Sequence, residues 1–333
     1  MALTTGSESI ARERTVEVRG TTYRLARLRG SELDAVVPLF RQVYKRSDFT
    51  ADWLEKKYAG EFQGAGAFSC VAFTETGEPA ASLGVLPWPI RCGGRTEVAA
   101  QIVDAATGLS HRRRGLFTRL GEMARQLSQV AGMSFMFGFA RPQGESYPRL
   151  VRNLGYAHID DLVEYRRPIR TLWGERIMRR SGAVRPLYER YLRRTLGAYR
   201  APDPVFQNSV ISEGFAGTDR SPAFYEYKRF GGSRVITADG GRVWLNIKRG
   251  LIIGDLEAES AADMGRTTHM LARLGVRLGV HQVLFQASRH TRFSQLAAQH
   301  FRASPILAVV YRNLNSEIAA DRLRFTFGDL DNF

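Results

Sequence analysis

The most regular hydrophobic pattern in this chain changes from the period of a strand to the period of a helix. Residues 98–107 form a largely apolar run that predicts a strand. After a short polar stretch, apolar residues recur at helical spacing, at Leu116, Leu120, Met123, Leu127 and Val130. The pattern therefore predicts a strand, a basic loop and a helix in direct succession.

Further elements are predicted on both sides of this loop. The apolar runs that predict strands cover residues 68–74, 80–92 and 132–140. Gly93-Gly94 is a signal for a two-residue hairpin turn after the second of them. A short helical segment then ends at Leu154, before Gly155 and Tyr156.

The second half of the chain repeats this order less regularly. Strands are predicted over residues 234–238, 243–248, 251–256, 281–287 and 306–311, and helices over residues 264–278 and 293–301. The segment 258–263, which precedes the longer helix, is acidic and has no glycine. We therefore expect the second half to lack an anion-binding loop at the matching place.

The basic loop of the first half has the composition of an anion site. Its residues are Arg112, Arg113, Arg114, Gly115, Leu116, Phe117 and Thr118. The first turn of a helix has backbone N–H groups without a partner and carries partial positive charge. Glycine lets a phosphate approach the main chain closely, so the segment predicts a phosphate-binding helix N-terminus.

This loop resembles the pyrophosphate loop of the GNAT acyltransferases, whose pattern is Arg or Gln, two residues, Gly, one residue, then Gly or Ala. Arg112 and Gly115 fit, whereas Phe117 stands where the last small residue is expected. The element order over residues 20–168 and the ending Leu154-Gly155-Tyr156 are also similar to that family. The resemblance implies an α/β fold of the α+β mixed-sheet kind, with acyl-coenzyme A (acetyl-CoA or a longer acyl-CoA) as co-substrate.

Length supports two such units. The chain has 333 residues, and this length exceeds that of one GNAT unit. Its hydrophobic content of 44% supports a packed core. We expect a disordered tail at 1–15, an acyl-CoA-binding GNAT domain at 16–168, a basic linker helix region at 169–200 and a degenerate GNAT-like domain at 201–333.

Several classes of protein are not expected. No apolar run is long enough to span a membrane and no signal peptide is evident, so we expect a cytoplasmic protein. The six histidines do not fall in metal-ligand spacing, and we predict no metal site. Cys70 and Cys92 both lie in predicted strands, where a buried free thiol is the expected state.

Positive charge is concentrated between the two halves. Residues 166–200 carry +9 of the net charge of +15, since they hold eleven arginines and two acids. Three explanations stay open for this segment: a helix packed on its apolar face, contact with an anionic membrane surface, and binding of RNA. We rank nucleic acid last.

The resemblance also implies roles for particular residues. Arg112 to Thr118 would hold the diphosphate of coenzyme A, and Ala105, Ala106 and Thr107 would pair with its pantetheine arm. The position of the general base in several GNAT families is Gln101 here, which cannot act as a base but can order a water. Val151 replaces the tyrosine that many members use as general acid, and Tyr147 lies one helical turn earlier.

Other catalytic and substrate-binding candidates depend on local geometry. Asp104 would face away from Gln101 by strict alternation, unless a β-bulge turns it inward. The alternative role of Asp104 is structural, as a carboxylate that bonds to the loop. His158 is a further catalytic candidate. For the acceptor, the candidates are Glu145, Tyr147, Tyr225 and Asp255.

The end of the chain gives a narrower resemblance. Thr326, Gly328, Asp329, Asp331 and Phe333 are similar to the ends of bacterial tandem GNAT proteins from surface-polysaccharide gene clusters. Those include N-acyltransferases of nucleotide-linked amino sugars, which implies an acceptor of that kind. A small metabolite or antibiotic amine as acceptor, a Fem-like tRNA-dependent transferase and a non-catalytic module stay open as alternatives.

Overall fold

The chain forms two compact units, each made of several separate stretches of the sequence. A computed structural model describes residues 13–45, 49–171, 183–203, 205, 207–238, 241–248 and 250–333. Within these, the first unit comprises residues up to 90 together with 96–159 and 308–319, and the second comprises 91–95, 160–307 and 320–333.

The first unit contains a mixed sheet with helices between its strands. The strands of this unit are β1 (Glu13–Val18), β2 (Thr21–Leu28), β3 (Glu61–Phe62), β4 (Ala65–Gly66), β5 (Phe68–Phe73), β6 (Pro79–Cys92), β7 (Arg95–Thr107), β8 (Phe135–Ala140) and the start of β9 (Ala157–Pro168). Of these, β3 and β4 form a separate two-stranded sheet. The helices of this unit are α1 (Val37–Tyr44), α2 (Ala51–Lys57), α3 (Leu116–Val130) and α4 (Ser146–Leu154). The bounds of β5, β6, β7, β8 and α3 and the end of α4 agree closely with the strands and helices that the hydrophobic pattern predicts.

Strand pairing in the first unit follows the order β1, β2, β5, β6, β7, β8 and residues 308–313. The pairs β1–β2, β2–β5 and β5–β6 are antiparallel, whereas β7 and β8 run parallel. The core lies between this sheet and the apolar face of α3, where Leu116, Leu120, Met123 and Leu127 are buried. Burial of each such side chain contributes about 1.5–3 kcal/mol.

The second unit is a similar mixed sheet. Its elements are α5 (Arg185–Gly197), α6 (Ser209–Ser212), β10 (Gly217–Thr218), α7 (Pro222–Lys228), β11 (Arg234–Ala238), β12 (Gly241–Ile247), β13 (Leu251–Leu256), α8 (Ala261–Leu278), β14 (Gln282–Ser288), α9 (Arg292–Ala298) and the start of β15 (Arg302–Asn313), whose residues from 308 onward belong to the first unit. Residues 162–168 of β9 pair antiparallel with β14, and β13 and β14 are parallel. No helix among the described residues is long and apolar enough to cross a membrane.

The segment at 169–200 is not a separate linker along its whole length. Helix α5 buries Tyr188, Leu192 and Leu196 in the core of the second unit, and the Tyr188 hydroxyl donates to the Leu278 carbonyl at 2.7 Å. Packing on an apolar face is therefore the explanation that the described part of this segment supports. Residues 172–182 lie outside the described residues.

The predicted disordered tail is also corrected at its end. Residues 1–12 lie outside the described residues, but Glu13 begins strand β1, which pairs with β2 from Glu13 opposite Ala26. The tail therefore does not extend to residue 15.

A buried ion cluster ties the end of the chain to the second unit. The Arg220 guanidinium donates to the carboxylates of Asp255 and Asp329, the latter at 2.9 Å, and to the Thr326 hydroxyl at 2.7 Å. Burial alone would lower the pKa of Arg220, but Asp329 and Asp255 outweigh it and raise that pKa. The guanidinium therefore stays charged in an interior where both carboxylates are fully buried.

We expect Asp329→Asn to lower the free energy of unfolding by about 3–5 kcal/mol, because it leaves a buried charge short of a partner. Urea denaturation measures the loss. The control is Asp52→Asn, which breaks the exposed Lys56–Asp52 ion pair and should cost less than about 1 kcal/mol. Equal losses in the two variants would contradict a stabilising role for the cluster.

Candidate active site

The basic loop ends at a helix N-terminus whose first backbone donors have no partner within the helix. Arg113 and Gly115 have positive φ angles of 61° and 70°, and α3 begins directly afterwards at Leu116. The first helical hydrogen bond joins the Arg119 N–H to the Gly115 carbonyl at 3.2 Å. The N–H groups of Leu116, Phe117 and Thr118 precede that bond, so the helix itself offers them no partner.

Space for a ligand lies beside Gly115. A Cβ atom built on this glycine would meet no heavy atom within 4 Å. A turn with left-handed residues, as at Arg113 and Gly115, can direct successive N–H groups toward one concavity, which suits an anion. The loop therefore fits a diphosphate group by its backbone donors, its helix dipole and its open access.

Two side chains fix the loop to strand β2. The His111 Nδ1 atom lies 3.0 Å from the Tyr23 hydroxyl, and the Arg114 guanidinium donates to the Thr21 hydroxyl. Partial burial and the positive charge of Arg114 lower the pKa of His111. Arg114 is thus held against the sheet, while Arg112 and Arg113 are exposed.

Glu145 lies next to the loop. Its carboxylate is 3.7 Å from the Arg112 guanidinium and 3.4 Å from that of Arg149. It is the N-cap residue of α4, so it joins the starts of α3 and α4 through Arg112. This predicted acceptor-binding residue is exposed and paired with arginines.

Strands β7 and β8 separate soon after they meet. Among the described residues, their parallel pairing consists of Ala100 with Met136 and Gln101 with Phe137. Strand β7 nevertheless continues to Thr107, so Ala105, Ala106 and Thr107 lie beyond the paired region. The Tyr44 hydroxyl donates to the Ala105 carbonyl at 3.1 Å.

Asp104 occupies an irregular position in this separated part of β7. Its φ angle is 48°, which interrupts the regular alternation of a strand. Its carboxylate accepts from Lys57 Nζ, with both oxygens at 2.8 Å, and its Oδ2 accepts from the Tyr58 hydroxyl at 2.9 Å. The structural role predicted for Asp104 was a bond to the basic loop. The structure instead places its carboxylate in an ion pair with Lys57 of α2.

Lys57 and Tyr58 are site residues that the sequence analysis missed. The Lys57 side chain is 1% exposed. Charged residues are rarely buried without a partner, and here the partner is Asp104. The available signal was the position of Lys57 three residues after the buried Leu54 on one face of α2. That signal indicates a buried lysine but does not identify its partner.

The other two catalytic candidates lie on different strands. Gln101 is fully buried at the last parallel pair of β7. His158 is exposed near the start of β9, and its Nδ1 atom lies 3.1 Å from the Tyr147 hydroxyl. The rings of Tyr147 and His158 also meet edge to face, with centroids 5.8 Å apart. The structure therefore brings these two predicted residues together.

The two acceptor-binding candidates of the second unit are corrected. Tyr225 is 6% exposed and its ring packs 4.9 Å from that of Trp244. Asp255 is fully buried and bonds to Arg220 and to the Ser209 N–H at 3.0 Å. Both predictions are wrong for a dissolved acceptor, because each side chain is enclosed and already engaged within its own unit.

The matching helix N-terminus of the second unit is capped by its own side chains. The Ser260 hydroxyl accepts from the Asp263 N–H at 3.1 Å and donates to the Asp263 carboxylate at 2.6 Å. A carboxylate at this place repels a diphosphate. Among the described residues, no group of three or more His, Cys, Asp or Glu residues could hold a metal ion.

Comparisons with known proteins agree with this geometry. Residues 23–159 match the family model described as an acetyltransferase (GNAT) domain. No curated protein is significantly similar to the chain.

Three solved structures have the same fold at low identity. A GCN5-related N-acetyltransferase from Kribbella flavida is 19% identical, with a TM-score of 0.54 over 88% of this chain and 71% of that one. A probable N-acyltransferase from Enterococcus faecalis V583 is 14% identical, with a TM-score of 0.54 over 89% and 73%. A putative acetyltransferase from Pyrococcus horikoshii is 13% identical, with a TM-score of 0.54 over 94% and 95%.

At these identities the likeness to solved structures shows the fold alone, which is GNAT-like. The domain match over residues 23–159 supports an acyltransferase enzyme.

Proposed function

We propose that this protein transfers an acyl group from acyl-coenzyme A to a primary amine, most specifically an amino sugar on a nucleotide carrier. The observation that carries the proposal is the open N-terminus of α3, where Arg113 and Gly115 have positive φ angles and Gly115 faces empty space. Residues 108–115 join it to β7, the strand that separates from β8.

The backbone of the loop would bind the diphosphate. The N–H groups of Arg113 to Thr118 supply donors and the helix dipole supplies positive potential. Beyond the last parallel pair, the backbone of Ala105 to Thr107 would pair with the pantetheine arm. When bound, acyl-coenzyme A supplies a thioester whose carbonyl carbon the amine attacks, with the thiol as leaving group.

A proton must leave the attacking amine, because only the neutral amine is a nucleophile. Asp104 is committed to Lys57 and Tyr58, and the Gln101 amide has no basic nitrogen. We assign proton acceptance to the exposed imidazole of His158, which Tyr147 orients through Nδ1. Gln101 would order a water at the last parallel pair.

The acceptor is proposed from the end of the chain and from the net charge. Residues 326–333 are similar to the ends of tandem GNAT proteins that modify nucleotide-linked amino sugars. A net charge of +15 favours the approach of two anionic ligands, coenzyme A and a nucleotide. The open loop at Gly115 favours coenzyme A over aminoacyl-tRNA as the acyl donor.

We expect Gly115→Asp to abolish the thermal stabilisation that coenzyme A gives, because its carboxylate would lie where the diphosphate binds. Saturation at 100 times the dissociation constant adds about 2.7 kcal/mol to the parent. Gly115→Asn is the matched control, since Asn and Asp both tolerate a positive φ and differ in charge. Thermal melting with and without coenzyme A measures both, and equal stabilisation of the two variants would contradict binding at this loop.

The acceptor can be tested by following thiol release from acetyl-coenzyme A. We expect kcat/KM for UDP-glucosamine to exceed that for free glucosamine or for an aminoglycoside by about tenfold or more, which corresponds to one charge-assisted contact to the diphosphate. A preference for the aminoglycoside would support the small-amine alternative and reject the nucleotide carrier.

With the best acceptor, we expect His158→Gln to lower kcat by about 10²-fold, the lower end of the effect of a general base. Coenzyme A binding should not change. The control is His269→Gln on the exposed face of α8, which should leave kcat as in the parent. Full activity of His158→Gln would remove His158 from the reaction.

A further inference from the structure

A buried lysine, a tyrosine and an aspartate meet at the irregular residue of β7. Lys57 Nζ lies 2.8 Å from both Asp104 carboxylate oxygens, and the Tyr58 hydroxyl lies 2.9 Å from Oδ2. The Asp104 side chain is 9% exposed and that of Lys57 is 1% exposed. We name Lys57, Tyr58 and Asp104 the bulge lock.

We propose that the bulge lock holds the backbone of Ala105, Ala106 and Thr107 in the conformation that receives the thioester end of acyl-coenzyme A. Lys57 and Tyr58 are thus positioning residues that act through Asp104. The inference rests on the proposed function and adds to it how the acyl-binding edge of β7 is kept in place.

The backbone at Asp104 needs such a restraint. A φ angle of 48° in the middle of a strand is an uncommon conformation for a residue with a side chain, and it persists only where the surroundings determine it. Two bonds from Lys57 and one from Tyr58 provide that determination. These bonds connect β7 to the end of α2, because Lys57 lies 47 positions and Tyr58 lies 46 positions before Asp104 in the chain.

Gly84 on β6 makes room for the lock. A Cβ atom on this residue would lie 1.9 Å from the Tyr58 hydroxyl oxygen and 3.0 Å from Val103 Cγ2. The first distance is far below any real contact, so a side chain at residue 84 would displace the Tyr58 hydroxyl. The space left by Gly84 therefore allows Tyr58 to reach Asp104.

The placement of the lock connects it to the acyl-binding edge. Asp104 lies three residues after Gln101, the last residue of β7 that pairs with β8, and immediately before Ala105. The Ala105 carbonyl accepts from the Tyr44 hydroxyl at 3.1 Å. Side chains from α1 and α2 thus hold consecutive residues of β7 where β8 no longer does.

The second unit shows that an aspartate in an ion pair does not by itself require this conformation. Asp255 follows the last parallel pair of β13 with β14, at Ile253, and it also bonds to a buried cation. Asp255 has no positive φ angle, unlike Asp104. Of these two aspartates, the one with a positive φ therefore lies in the unit that has the open loop.

The test separates the thioester end of the ligand from its nucleotide end. Binding of acetyl-coenzyme A and of 3′-phospho-ADP, which lacks the pantetheine arm, is measured by calorimetry in the parent and in Lys57→Met. We expect the variant to bind acetyl-coenzyme A about tenfold or more weakly and 3′-phospho-ADP as the parent does. The matched control is Lys56→Met, because Lys56 is 60% exposed and pairs with Asp52 on the outer face of the same helix.

Tyr58→Phe and Gly84→Ala give the same comparison if Lys57→Met does not fold. The first removes one bond to Asp104, and the second displaces the Tyr58 hydroxyl. Both should weaken binding of acetyl-coenzyme A selectively.

The outcomes distinguish the lock from the proposed function. Selective loss of acetyl-coenzyme A binding supports the lock. Equal loss of both ligands would indicate general damage and overturn the positioning role, as would parent-like binding of both ligands. A parent protein that binds neither ligand would instead overturn the proposed function.

Discussion

The short pairing between β7 and β8 is the constraint on which the first unit depends. Two parallel residue pairs hold the strands together at Ala100 and Gln101, and β7 then runs on without β8. Backbone groups that leave a sheet need other partners, and the Tyr44 hydroxyl of α1 donates to the Ala105 carbonyl. Lys57 of α2 holds the neighbouring residue by its bond to the Asp104 carboxylate. The opening that would receive a ligand therefore exists because neighbouring helices stabilise the strand edge.

Local features of this unit could be predicted because they depend on residues within one helical turn. The glycine of the basic loop and the spacing of Leu116 and Leu120 predict the start and the buried face of α3. The contact between Lys57 and Asp104 joins residues 47 positions apart, and no local period encodes it. Strand alternation also fails at Asp104, because a single positive φ angle changes the face on which later residues lie.

Comparison of the two units explains why a similar order of elements does not give the same chemistry. Each has a parallel strand pair followed by an aspartate that binds a buried cation, Lys57 in the first and Arg220 in the second. The helix N-terminus that follows differs: Gly115 leaves it open in one, whereas Ser260 and Asp263 close it with their own hydrogen bonds in the other. The proposed anion binding thus depends on a few residues at one loop, while a similar sheet and core accompany both kinds of helix N-terminus.

The residues that carry the narrower resemblance have a structural role in this chain. Thr326, Asp329 and Phe333 are buried, and Asp329 bonds to Arg220 in the interior of the second unit. Side chains in such positions cannot contact a dissolved acceptor, so their similarity to other tandem proteins concerns how the second unit is built. Selection among amines must come from exposed groups, because only these can exchange water for a ligand. Glu145 and His158 are exposed in the first unit, and a carboxylate and an imidazole can each accept a hydrogen bond from an amine. The buried tail thus carries the resemblance to one class of tandem protein, whereas exposed residues of the first unit would make the contacts that select the amine.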